Sequence, residues 1–472
     1  MPAAPNSPSR PRLRDRARGA LAAALWALPL AAAAQGAAPA RAGANLDVLH
    51  YTARIEPDIA AKTLRGQVSI RLALRADGAQ QLEFDAGDLD IDKVSEHGQA
   101  LSFEKAEQRL RVRLPKPGKF GERHEIDIAY RGAPRYGLEF HPDRGEVYTI
   151  FSTSQWLVCI DAPSERASFD LTLTVPSGLK AVGNGRLVSK SALGGRRDSY
   201  RWRQDQPMPS YVYGFAAGRY NEAAGTGENG ELRFYSAELQ SAQLRKVFAD
   251  TADMLRFFGR RAGIRYRGPY TQVLVAKTIG QELDGFSLMS EAYGREVLEK
   301  PEAQGLIAHE LAHQWWGNMV TNLDWGQFWL NEGFANFMAA AYLQHRYGED
   351  AYRERVDAWK KRVDKLRESG KDHALVYANW SKPSADDRAV VYQKGAYVLH
   401  LLREEIGERA FWRGVRTYTR AYYGHSATTA DLRKTMERAS GRDLSAFFAR
   451  WVDGAEPAPA KTEAAAKSDA AK

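Results

Sequence analysis

The sequence predicts two folded parts in series: an antiparallel β domain, then an α+β region that becomes mostly helical. Three observations predict this. Apolar residues alternate with polar ones at period two over roughly 46–220, as they do on strands with one buried face. After the turn segment 225–230, with Gly at both ends, they recur at helical spacing. A chain of 472 residues with 44% hydrophobic content also exceeds what one ordinary core uses.

Residues 1–34 stand apart from the fold. Arg10, Arg12, Arg14, Arg16 and Arg18 precede an apolar run over 20–34, and Ala32, Ala33 and Ala34 offer small residues for cleavage. This reads as a secretory signal peptide, hence an exported protein, periplasmic or secreted, with an uncleaved anchor as the alternative. The run is short for a membrane span and no other segment reaches that length, so no stable span is expected in the mature chain.

The β domain is expected over 46–225. Val68, Ile70, Leu72 and Leu74 alternate with polar neighbours, as do Leu110, Val112 and Leu114, and then Phe169, Leu171, Leu173 and Val175. Gly and Pro clusters separate these runs, as turns require. The second domain is expected over 226–455. Leu244, Val247, Phe248, Met254, Leu255 and Phe258 fall on one helical face, a β-rich piece follows at 271–276, and helical patterns dominate over 302–453. The Ala, Lys, Pro and acidic tail 456–472 carries no apolar stripe and is expected to be disordered.

Charge and cysteine content narrow the partners. The net charge is +9, but residues 1–34 carry five Arg and one Asp, so the chain without them carries about +5. No basic residues cluster into a patch, which argues against a nucleic-acid partner. The single Cys159 permits no internal disulfide, so the apolar cores must supply the stability.

The chemistry-bearing motif is His309-Glu310-Leu311-Ala312-His313, inside an apolar run over 305–316 that suits a buried helix. Residues four apart lie on one helix face, so both imidazoles can meet one ion. Glu310 lies between them, within reach of a metal-bound water. Catalytic zinc takes three protein ligands and keeps one position open. Glu332 can be the third, from the stretch Trp329-Leu330-Asn331-Glu332-Gly333-Phe334, which looks like the start of a second helix. One zinc per chain is expected. Trp315 and Trp316 read as packing residues.

HELAHQWWGN followed by WLNEGFAN, with 18 residues between His313 and Glu332, resembles the aminopeptidase N family of gluzincin zinc metallopeptidases. WLVCIDAPSERASFDLTLTVP at 156–176 resembles that family's characteristic N-terminal stretch. Met208-Pro209-Ser210-Tyr211 is similar to the segment closing its β domain. Val391-Tyr392-Gln393-Lys394-Gly395 is similar to its Tyr-x-Lys-Gly element. The resemblance implies a β-saddle domain leading into a thermolysin-like catalytic domain acting on peptides or proteins. It implies zinc on His309, His313 and Glu332, Glu310 as general base, and Tyr392 as stabiliser of the tetrahedral intermediate. Family aminopeptidases also carry Gly-x-Met-Glu-Asn, whose Glu binds the substrate's free amino group. The best match is Gly280-Gln281-Glu282-Leu283-Asp284-Gly285: Glu282 falls on that Glu, Gln281 and Leu283 replace the Met and Asn, and Gly280 stands one place out of register. Glu282 is therefore the candidate for binding the amine.

The similarity ends near Trp451-Val452-Asp453-Gly454. Larger members add a helical domain beyond this point, so a short form is expected, with a site that is more open or is closed by a partner. Three alternatives to an aminopeptidase stay open at the sequence level: an endopeptidase-like gluzincin, a degenerate peptidase fold that only binds, and a zinc hydrolase acting on a non-peptide substrate.

Overall fold

Strand Leu46–Asp58 organises the N-terminal half by pairing antiparallel with Thr63–Leu74 and parallel with Arg166–Pro176. The computed structural model describes residues 42–454 apart from 228, 229, 278, 379 and 381, so the expected signal peptide and the expected disordered tail lie outside the described residues. An eight-stranded sheet grows around these three strands, accompanied by a four-stranded and a three-stranded sheet. The period-two residues do what alternation demands: Val68, Ile70, Leu72, Leu110, Val112, Phe169, Leu171 and Leu173 are all buried in one core. Among the described residues, the strands of these three sheets pair antiparallel except Leu46–Asp58 with Arg166–Pro176. More than a hundred residues separate those two strands, enough for the crossover that a parallel pair needs. Alternation alone does not distinguish the two cases.

The second half is built on a five-stranded sheet ordered Asn221–Thr226, Glu231–Ser236, Tyr270–Val275, Phe286–Ser290 and Gly280–Leu283. The last strand is an edge, bonded on one side only, antiparallel to Phe286–Ser290. The 225–230 segment does not mark a change from strand to helix. It closes a hairpin between Asn221–Thr226 and Glu231–Ser236, and the first helix begins only at Ser241. The first strand of this sheet, Asn221–Thr226, thus crosses the domain boundary expected between 225 and 226. Helices Gly305–Ala312, Trp329–Tyr347, Gly395–Ile406 and Glu408–Tyr422 stack into one apolar core with Trp316, Trp329, Phe334 and Tyr418 fully buried. Among the described residues no helix is long and apolar enough to cross a membrane.

The two halves are joined by more than the connecting chain. Tyr148, Val182 and Ala216 from the first pack with Val273, Leu283 and Leu288 from the second as a third apolar cluster. Arg166 crosses the seam to the Thr321 hydroxyl at 2.7 Å and the Asn318 carbonyl at 3.0 Å. The Tyr211 hydroxyl donates to the Gly317 carbonyl at 2.7 Å. The edge strand is thereby held against the N-terminal domain.

Candidate metal centre

Helix Gly305–Ala312 is buried from Leu306 to Ala312, and His313 caps its end in helical conformation. The helix is shorter than the apolar run over 305–316. The chain tightens after Ala312 and reverses at Gly317, which adopts φ +139, a conformation that strongly favours glycine. Trp315 and Trp316 are buried by this reversal and spend their indole N–H groups on the Ile264 carbonyl and the Thr419 hydroxyl, so both are packing residues.

The four-residue spacing brings the two Nε2 atoms within 3.1 Å of each other. Their other nitrogens are committed. His313 Nδ1 lies 3.0 Å from the Trp316 carbonyl, which can only accept, so that nitrogen carries a proton. His309 Nδ1 lies 3.0 Å from Asn336 Oδ1. Such contacts orient an imidazole and leave its Nε2 lone pair for a metal. Asn336 escaped the sequence reading, although it sits four residues after Glu332 on the same helical face.

Glu332 enters from the first turn of helix Trp329–Tyr347. Its Oε2 is 3.2 Å from His309 Nε2 and 3.5 Å from His313 Nε2. His309, His313 and Glu332 are all buried and present ligand atoms within 4.8 Å of one another. Neighbouring Asn331 anchors the helix start through the Asn322 amide oxygen at 2.6 Å and the Tyr211 hydroxyl at 3.1 Å.

Glu310 is 1% exposed and its Oε1 meets no hydrogen-bond donor. An ionisable oxygen left unpaired in the interior is costly unless something else engages it. A second buried group, Glu282, Glu310 and His313, also lies within 4.8 Å. Glu282 therefore reaches the same centre from the edge strand. Burial pushes Glu282 up to about 7, with Glu332 adding to the effect and His313 opposing it. Burial likewise raises Glu310 well above the carboxylate range. Burial acts against ionised His313, yet Glu332, Glu282 and Glu310 raise it to about 10. Burial would raise Glu332, but His313 and the contacts with both imidazoles hold it at about 2. The surrounding carboxylates favour positive charge at His313, and a dication held by the two Nε2 atoms would supply it in place of a proton on His313. Two imidazoles and one carboxylate form a zinc donor set, and Glu332 Oε2, beside both Nε2 atoms, fits the third ligand.

Tyr392 lies on a π-helical turn, Val390–Lys394, between Ala385–Ala389 and Gly395–Ile406. Such single wide turns often occur at functional sites. Its ring stacks on His309 at 6.2 Å between centroids. Burial and the nearby Glu332 and Glu282 push its hydroxyl well above the usual phenol range, so it stays a donor. Lys394 pins the turn through Asp372 and the His373 carbonyl, both at 2.6 Å. A close helix contact brings Tyr392 to Glu332: a Cβ on Gly333 would sit 3.0 Å from the Gly395 carbonyl carbon. The motif glycines on both sides permit that approach.

All six residues singled out in the sequence meet here. A crevice of about 670 Å³ opens nearby, lined by Asp284, Gly285 and Gln314 among others, but by none of these six.

Known proteins match this architecture. The model described as the Peptidase M1 N-terminal domain matches residues 48–212, and the Peptidase family M1 domain matches 286–451. "Aminopeptidase M1-D" of Oryza sativa subsp. japonica is 26% identical over 434 residues, covering 85% of this chain and 49% of that protein. "Leucine aminopeptidase 2" of Aspergillus fumigatus is 25% identical over 417 residues, covering 82% of this chain and 66% of that protein. The chain spans about half the length of the rice and archaeal aminopeptidases it matches. A crystal structure of an M1 zinc metallopeptidase mutant from Deinococcus radiodurans, bound to a Tyr-Ser-Ala substrate, superposes with TM-score 0.78 at 25% identity. It covers 89% of this chain and 97% of that one. Matching both halves in the order found here, and carrying the grouping that fits the family's zinc, the chain belongs to peptidase family M1.

Proposed function

We propose that the protein is a zinc-dependent metallopeptidase that removes residues from the N-terminus of peptides. The observation that carries this reading is the convergence of Glu282 and Glu310 on the His313 side of the grouping His309, His313 and Glu332. A buried carboxylate is costly without a charged partner, and a substrate α-ammonium beside Glu282 would supply one. The relatives' names, and the Tyr-Ser-Ala substrate of the Deinococcus protein, support the same reading.

The residues divide the work by position. The side of Gly280–Leu283 that pairs with no other strand can accept a peptide as an added strand. Glu282 pairs with the peptide's ammonium group. Glu310 takes the proton of the attacking water and passes it to the leaving amine. Zinc, when bound, polarises the carbonyl and lowers the pKa of coordinated water to about 7. The Tyr392 hydroxyl donates to the carbonyl oxygen as charge develops there, a contact worth about 3 kcal/mol for one such donor. Tyr392→Phe removes that hydroxyl and little volume. Its kcat is expected to fall about 100-fold with KM little changed, because the contact forms only in the transition state. An unchanged kcat in steady-state assays would return Tyr392 to a packing role.

Free and blocked substrates test the exopeptidase reading. Ala- or Leu-4-nitroanilide should be cleaved, and the N-acetylated forms at least ~100-fold more slowly, as expected when a buried carboxylate loses its charged partner. Glu282→Ala should raise KM and lower kcat on the free substrate. Equal cleavage of free and acetylated forms would make the protein an endopeptidase-like zinc enzyme with Glu282 a bystander.

Export to the periplasm or the medium is part of the proposal. It rests on the Arg-rich start and the apolar run over 20–34. N-terminal sequencing of the exported protein should find a start near residue 35, and an intact Met1 would contradict cleavage.

A further inference from the structure

Glu282 stands on a strand with one bonded edge, so something else must set its distance from the metal ligands. The turn that ends this strand is gripped by two buried side-chain amides from opposite halves of the chain. Gln314 directly follows His313 and is 2% exposed. Its Nε2 donates to the Leu283 carbonyl at 2.9 Å, and its Oε1 accepts from the Gly285 N–H at 3.0 Å. Asn184 comes from the N-terminal domain and is 1% exposed. Its Nδ2 donates to the Asp284 carbonyl at 2.8 Å and the Val212 carbonyl at 2.9 Å, and its Oδ1 accepts from the Gly214 N–H at 2.7 Å. The Asp284 N–H completes the seam on the Val212 carbonyl at 3.1 Å.

Leu283, Asp284 and Gly285 thus each have backbone groups bonded to one of these amides or to Val212. Both N–H groups and the oxygen of Asn184 are used, so the amide has no alternative orientation of equal energy. At its other end the strand is tied to the same domain, where the Phe151 N–H donates to Gln281 Oε1 at 2.9 Å. Gln281 replaces the family's Met, and its amide also lies 3.4 Å from Glu282 Oε2.

We propose that Asn184 and Gln314 are positioning residues for the amine-binding carboxylate. They hold the 283–285 turn so that the Glu282 carboxylate stays within 4.8 Å of the His313 imidazole. The N-terminal domain, which supplies no ligand, then helps decide where the peptide's end stops. A shift of about 1 Å in such a group is enough to lose most of its benefit. This inference rests on the reading of Glu282 as the group that binds the amine.

Two zinc-binding probes separate positioning from general damage. Leucine hydroxamate carries an α-amino group, and 4-methylpentanohydroxamate is the same molecule without it. In the zinc-loaded full chain the first should bind more tightly. Asn184→Ser and Gln314→Met should each lose about tenfold of that preference, with binding of the amine-free probe and zinc content unchanged. Equal weakening of both probes, or an unchanged preference, would overturn the proposal. Should Asn184→Ser fail to fold, Gln314→Met carries the same expectation and the same refutation. Glu282→Ala tells the two failures apart. If it erases the preference while the amide variants keep it, only this inference falls. If it leaves the preference intact, the reading of Glu282 falls and this inference with it.

Discussion

Glu310→Gln is expected to keep its zinc and its fold and to lose at least ~100-fold in kcat, the low end for removal of a general base. The substitution is isosteric. It replaces a carboxylate that is 1% exposed, and whose Oε1 meets no donor, with a neutral amide that cannot accept a proton from water. Because burial already penalises the charged form of Glu310, the variant should be no less stable than the parent. KM should change little, since the base acts on the water and not on the bound peptide. Metal analysis beside steady-state kinetics checks this. Near-normal turnover would remove Glu310 from the mechanism. Loss of zinc would shift the ligand set toward the alternative grouping of Glu282, Glu310 and His313.

His313→Ala should lose most of its zinc and reduce hydrolysis to background. It leaves His309 and Glu332 alone, below the three protein ligands a catalytic zinc site uses. The same substitution removes the contact from Nδ1 to the Trp316 carbonyl at the end of the helix. A metal that binds only the folded state stabilises it, by about 4 kcal/mol at a thousandfold excess over Kd. Chelation should therefore lower the melting temperature of the parent and leave that of His313→Ala almost unmoved. Full zinc retention in the variant would refute the ligand assignment.

Much of this site was legible because its logic is local. The four-residue spacing of His309 and His313 puts two imidazoles on one face whatever surrounds them, and Glu332 announced its helix. The strands around Val68, Leu110 and Phe169 were equally readable, since alternation is a one-dimensional pattern. What escaped depends on contacts distant in sequence. Asn184 meets Asp284 a hundred residues later, and no periodicity marks it. The parallel pairing of Leu46–Asp58 has the same alternation as an antiparallel one. The end of the helix at Ala312 was hidden by two tryptophans that continue the apolar run but face different neighbours. The π-helical turn under Tyr392 is set by its packing, with Lys394 on Asp372, and not by its own residues' helical propensity. Asn336 alone was within reach, by the same four-residue rule that found His313.

The most direct test of the central claim is X-ray absorption at the zinc edge of the purified, fully loaded protein. Ligation by His309, His313 and Glu332 predicts two imidazole nitrogens at about 2.0–2.1 Å and oxygen at about 2.0–2.2 Å, with no sulfur. A third imidazole, or a sulfur scatterer near ~2.3 Å, would contradict it; the single cysteine, Cys159, is buried in the N-terminal core.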